Sequence, residues 1–146
     1  MRTNVTLSVP ALLAGAVLLA GQSAPPQNSL GREGDALVDI GGRRLHVSCA
    51  GTGSPTVILE AGMGESAATW KALQPAVAEF TRVCAYDRAR RGTSDPDPSI
   101  AFRTARVVVD DLARLLRAAA ITGPYVLAGH SFGGAYIRSY ASRFPR

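Results

Sequence analysis

Gly129-His130-Ser131-Phe132-Gly133 places a serine between two glycines, where an apolar run (125–128) meets a helical pattern (132–144). A G-x-S-x-G sequence in that setting has the layout of a nucleophile elbow, a sharp strand-to-helix turn that holds the serine hydroxyl clear of the backbone for attack on an acyl carbon. The turn is strained, and a Cβ at Gly129 or Gly133 would meet the crossing strand and helix. Such a serine needs two things around it: hydrogen-bond donors for the oxyanion and a base for the hydroxyl. Ser131 sits at a helix N-terminus, whose partial positive charge favours a developing oxyanion. A base is harder to place. The chain has two histidines, and His130 is adjacent to Ser131, where neighbouring elbow side chains point apart.

The elements that must carry this serine can be read from periodicity. Residues 36–40 and 43–49 flank Gly41-Gly42, a two-residue hairpin signal. In the second of these strands Leu45, Val47 and Cys49 share one face, which puts His46 on the other, toward solvent. Residues 56–60 form a continuous apolar run ending in Glu60, the pattern of a strand buried in a parallel sheet. Trp70, Leu73, Val77 and Phe80 recur at helical spacing, with Pro75 in the first turn of a regular helix. Residues 82–87 read as the next strand, followed by a loop to about residue 99. Ala105, Val108, Val109, Leu112, Leu115, Leu116 and Ala119 then mark an amphipathic helix capped by Thr104 and ended by Gly123-Pro124. A hairpin followed by three strand–helix units predicts an α/β sheet covered on both faces.

Three segments in this order resemble the N-terminal half of the α/β-hydrolase superfamily, over about residues 36–146. Leu59-Glu60-Ala61-Gly62-Met63-Gly64 stands where the family has its oxyanion loop, often H-G-x-G; Ala61 replaces the histidine, while Gly62 and Gly64 match. Residues 86–95 are similar to the family's D-x-x-G-x-G-x-S turn, with Arg90 at a common glycine position. The elbow is the third. The resemblance implies that Ser131 is the nucleophile of an acyl-enzyme and that the backbone N–H groups of Met63 and Phe132 form the oxyanion hole. It implies a small-molecule ester, thioester or amide substrate, with no cofactor and no metal. A serine here argues against the haloalkane dehalogenase branch, which uses an aspartate. Glu60 reads as a carboxylate satisfied by loop N–H groups, and Asp87 and Asp95 as loop-holding caps.

In this family the catalytic acid and histidine follow the nucleophile along the chain. Only 15 residues follow Ser131 here, and none is His, Asp or Glu. The expectation is therefore an incomplete α/β-hydrolase fold that is inactive alone, with residues 125–129 as an exposed apolar edge. The alternatives are a non-catalytic binding module and a fragment complemented by a separate C-terminal half.

The formal net charge is +5, with all basic residues but Lys71 arginines. The densest group, Arg88, Arg90 and Arg91, has no interleaved aromatics, which argues against nucleic-acid binding and reads as a solvated surface. Residues 1–23 resemble an export signal: Arg2, an Ala/Leu/Val/Gly run over 11–21, then a polar, Pro-rich turn. An uncleaved membrane anchor is the rival reading. Gln22 follows Leu19-Ala20-Gly21, so a lipobox cysteine is missing. Residues 24–35 read as a flexible spacer before a domain over 36–146. Cys49 and Cys84 are compatible with a disulfide in an exported protein, or with two small buried residues in neighbouring strands.

Overall fold

The computed structural model describes residues 34–98 and 103–145; the signal and nearly all of the spacer read in the sequence lie outside these residues. Five strands and three helices follow one another as β1 (Gly34–Asp39), β2 (Arg44–Ala50), β3 (Thr56–Glu60), α1 (Leu73–Ala78), β4 (Val83–Tyr86), α2 (Ala105–Ala118), β5 (Tyr125–Gly129) and α3 (Gly133–Arg143). A 3-10 turn, Ala67–Trp70, precedes α1. The strands form one mixed sheet in the order β1-β2-β4-β3-β5. β2 runs antiparallel to β1 and β4, while β3 is parallel to both β4 and β5. This is the mixed sheet that the resemblance predicts, with β5 at its edge among the described residues.

The hairpin closes as its glycines require. Gly41 and Gly42 have φ of +93° and +92°, and the Gly41 N–H donates to Asp39 Oδ1 at 2.8 Å. β1 includes Gly34 and Asp35, which extend the ladder opposite Cys49 and Ser48. Cys49 and Cys84 are register partners on β2 and β4 and are joined by a disulfide, with Cα atoms 4.1 Å apart.

One sheet face packs Val38, Leu45, Val47 and Ile58 under α2, whose Val109, Leu112, Leu115 and Leu116 are buried as the periodicity predicts. Thr104 caps α2 by accepting from the Val107 N–H at 3.4 Å. On the other face Leu59, Val83 and Ala85 meet Trp70 and Val77. There the expected regular helix gives way to a 3-10 turn and a six-residue helix. Phe80 lies beyond its end and is 85% exposed, so this apolar residue is no part of the core.

Candidate active site

Parallel pairing of β3 and β5 brings the two loops of interest together. Glu60 and Gly129 are register partners at the ends of their strands, so the chain leaves both strands at the same level. The His130 N–H then donates to the Glu60 carbonyl at 3.0 Å, extending the ladder by one bond. Ser131 follows with φ of +51°, a left-handed conformation that strains any residue but glycine. A Cβ on Gly129 would lie 2.6 Å from the Gly133 carbonyl carbon, and one on Gly133 would strike the Glu60 carbonyl oxygen. The elbow is thus wedged between β3 and the first turn of α3.

The Met63 and Phe132 N–H groups donate to no described residue, and both side chains are largely exposed. Gly64 turns the loop beside Met63 at φ +83°. Gly62 lies against the elbow: a Cβ there would sit 2.7 Å from Glu65 Oε2 and 3.1 Å from His130 Nδ1. Glu65 Oε2 accepts from the Gly62 N–H at 2.8 Å and pairs with His130 Nδ1 at 2.9 Å. These bonds, the His130 pairing first, hold the Glu65 carboxyl below its usual range. His130 therefore fastens the elbow to the loop after β3 through its Nδ1.

Behind that loop stands an interaction the sequence reading missed. Arg88 is buried, not part of a solvated surface. Its guanidinium donates to Glu60 Oε1, to the Ala61 carbonyl at 2.6 Å and to the Gly62 carbonyl, and its charge lies 5.2 Å from the Tyr136 ring centroid. Glu60 is fully buried and accepts from the Tyr86 hydroxyl and Arg88, in place of the loop N–H groups expected for it. Burial raises the Glu60 carboxyl above its ordinary value, opposed by Tyr86 and Arg88, and burial with the neighbouring Glu60 charge drives the Tyr86 phenol well up. Arg88 is thus a clamp on residues 60–62. Its side chain reaches back from the loop after β4, which spacing alone does not reveal.

Asp87 caps that loop, as read from sequence, by accepting from the Ala67 and Thr93 N–H groups at 2.7 and 3.1 Å. It also takes His46 Nδ1 at 3.1 Å, while His46 Nε2 reaches Asp35 Oδ1 at 3.2 Å. His46 is therefore half-buried and paired rather than turned out to solvent. Asp95 reaches further than its own loop, accepting from the Arg44 N–H at 2.8 Å and pairing with its guanidinium. A concavity of about 840 Å³ lies around His46, Asp87 and α1, and neither Met63, Ser131 nor Phe132 lines it. Among the described residues no cluster of His, Cys, Asp or Glu is arranged to hold a metal.

The model of the Alpha/beta hydrolase family matches residues 57–145, from β3 to the end of α3. The chain belongs to the alpha/beta hydrolase family. Cfl2 of Burkholderia cenocepacia is 32% identical and superposes with a TM-score of 0.66 over 77% of this chain and 37% of its own. A mutant epoxide hydrolase of Vigna radiata gives a TM-score of 0.69 at 23% identity over 78% of this chain and 36% of its own, a likeness of fold. A Hormonema carpetanum protein named "Probable transporter efuK" is 34% identical over 121 residues, 80% of this chain and 17% of that protein. The chain thus spans about a third of the solved structures it matches and a sixth of the Hormonema carpetanum relative. Within the alpha/beta hydrolase fold the matched part is the one that holds the Ser131 turn and the loop after β3.

Proposed function

We propose that this chain supplies the nucleophile and the oxyanion donors of a serine hydrolase acting on a small-molecule ester, thioester or amide. The observation that carries this reading is the left-handed Ser131 at the β5–α3 turn, followed by the Phe132 N–H and faced by the loop that carries the Met63 N–H, neither of which donates to a described residue. As Ser131 Oγ attacks the acyl carbon, its hydroxyl proton passes to a base, and the tetrahedral oxyanion is held by the Met63 and Phe132 N–H groups. Each donor of such a pair is worth about two to three powers of ten in rate. Collapse expels the leaving group, and water then hydrolyses the acyl-serine.

Likeness to epoxide hydrolases does not extend to epoxide chemistry in this reading. A serine alkoxide opening an epoxide would form an ether, and an ether has no carbonyl for water to attack. An acyl-serine has one. The strained elbow also favours catalysis over a pure binding module, which gains nothing from a serine held in a left-handed conformation.

The base and its acid come from a polypeptide segment outside residues 1–146. His130 is occupied by Glu65, and His46 lies with Asp87 and Asp35. Export through the signal at residues 1–23 belongs to the same proposal. The test is fluorophosphonate labelling of Ser131. Residues 24–146 alone should label at a rate close to that of Ser131→Ala and turn over no p-nitrophenyl ester. Co-expression with a C-terminal hydrolase half carrying an acid and a histidine should restore both. Enzyme-like, Ser131-dependent turnover by the 24–146 polypeptide alone would overturn the external base. Failure to label in the complex would overturn the nucleophile.

A further inference from the structure

A second cavity, about 590 Å³, opens beside the proposed oxyanion loop. Met63 and Gly64 form one wall, Tyr136 of α3 another, and Arg88, Arg90, Arg91 and Arg103 most of the rest; no carboxylate lines it. Tyr136 is also the ring against which Phe132 packs, with centroids 5.2 Å apart. The cavity is therefore bounded by both elements that carry the proposed oxyanion donors.

Its four arginines are of two kinds. Arg88 is neutralised by Glu60, and Arg103 by Asp97 and Asp111. Arg90 and Arg91 are exposed, and among the described residues neither pairs with an acid. Both are set by a tight turn in which the Arg90 N–H donates to the Asp95 carbonyl at 3.1 Å and the Arg91 N–H to the Arg88 carbonyl at 2.9 Å. Arg90 has φ of +67°, where glycine would be unstrained, so the chain carries a charged side chain at a position that penalises one. Uncompensated positive charge on a concave wall concentrates anions. Guanidinium groups match the planar, multidentate oxygens of carboxylate and phosphate.

Resting on the assignment of Ser131 as nucleophile, we propose that the substrate of this site carries a carboxylate or phosphate group, bound by Arg90 and Arg91 in the cavity beside Met63. The charged group sits away from the scissile bond and orients the acyl carbon toward Ser131. The two arginines thus act as specificity determinants, with the side chain of Met63 between them and the reacting centre.

Binding can be measured on the 146-residue chain without turnover, by titrating monoethyl succinate, neutral diethyl succinate and inorganic phosphate. The monoester should bind about tenfold tighter than the diester, as expected of a charge-assisted contact, with an affinity that falls as salt rises. Arg90→Gly and Arg91→Ser should each remove most of that preference. Arg90→Gly should leave the melting temperature unchanged or raised, because it relieves a positive φ, and so separates lost charge from lost fold. Ser131→Ala should keep the preference. Phosphate competing more strongly than the monoester would assign a phosphate-bearing substrate, and the reverse a carboxylate-bearing one. Equal affinity for charged and neutral esters, or a preference that survives both arginine substitutions, overturns the inference. Loss of fluorophosphonate labelling in the complemented enzyme would remove the nucleophile instead and leave these titrations unchanged.

Discussion

Replacing Arg88 by methionine would leave Glu60 a buried carboxylate with only the Tyr86 hydroxyl to stabilise it, and would take a donor from the Ala61 carbonyl and from the Gly62 carbonyl, which keeps the Glu65 N–H. Breaking one partner of a buried pair costs about 3–5 kcal/mol, far more than the pair contributes against an apolar replacement. Urea unfolding should therefore show Arg88→Met strongly destabilised and the Arg88→Met, Glu60→Leu double variant recovering most of the loss. A simple surface role for Arg88 would instead give two small, additive effects. Ser131 predicts the opposite sign. Ser131→Gly removes the left-handed strain, about 1–2 kcal/mol, and adds about 0.5–1 kcal/mol of chain entropy to lose, so it should be neutral to slightly stabilising while abolishing covalent labelling. At this scale the sequence was half legible. Glycines and a serine announce a turn through their own backbone demands, so Gly129, Ser131 and Gly133 could be read directly. The Tyr86–Glu60, Arg88–Glu60 and His46–Asp87 pairs are set by tertiary approach across 26 to 41 positions, which no local pattern encodes.

Elements followed periodicity where burial was continuous and departed from it where burial was not. α2 joins the large buried cluster on one sheet face and obeys its 3.6-residue pattern, whereas the segment before β4 meets the smaller cluster on the other face and shortens to a 3-10 turn and α1. The joint between β1, β2 and the loop after β4 depends instead on His46. Its bond to Asp87 raises the imidazole above its ordinary value, against a desolvation that lowers it, with Asp35 adding to the rise. Burial pushes Asp87 up, but His46 and the Ala67 and Thr93 N–H groups outweigh that and hold it low. Lys71 and Glu79 line the same concavity. The raised His46 contributes stability that is complete below its unfolded value of about 6.5 and is lost as pH rises through the folded one. The lowered Asp87 contributes above its unfolded value of about 3.9 and is lost in stronger acid. The joint is therefore strongest between these limits. Thermal melts of His46→Gln should lie below wild type by about 1 kcal/mol near pH 5.5 and converge with it by about pH 9. A gap that widens with pH would reverse the assignment.

At the scale of the molecule, the sheet order among the described residues leaves β5 paired with a strand on one side only, with β3. The sequence Tyr125-Val126-Leu127-Ala128-Gly129 contains no charge or proline, the devices by which edge strands discourage pairing with another chain. Val126 is 47% exposed, and Leu127 and Ala128 are only partly buried, so the strand offers apolar side chains as well as open backbone groups. The same edge adjoins the elbow, so the surface that the proposed base-supplying segment would meet is also the surface most prone to mispairing. The 24–146 polypeptide should therefore self-associate as concentration rises. Val126→Lys puts a charge on that edge at an exposed position, where substitutions ordinarily change stability by no more than about 0.5 kcal/mol. Light scattering should show its association shifted to several-fold higher concentration with the melting temperature unchanged. Association that is indifferent to Val126→Lys would place the self-contact elsewhere. In that case a complementing C-terminal half should leave association unaltered, whereas a half that covers β5 should suppress association and restore Ser131 labelling at the same stoichiometry.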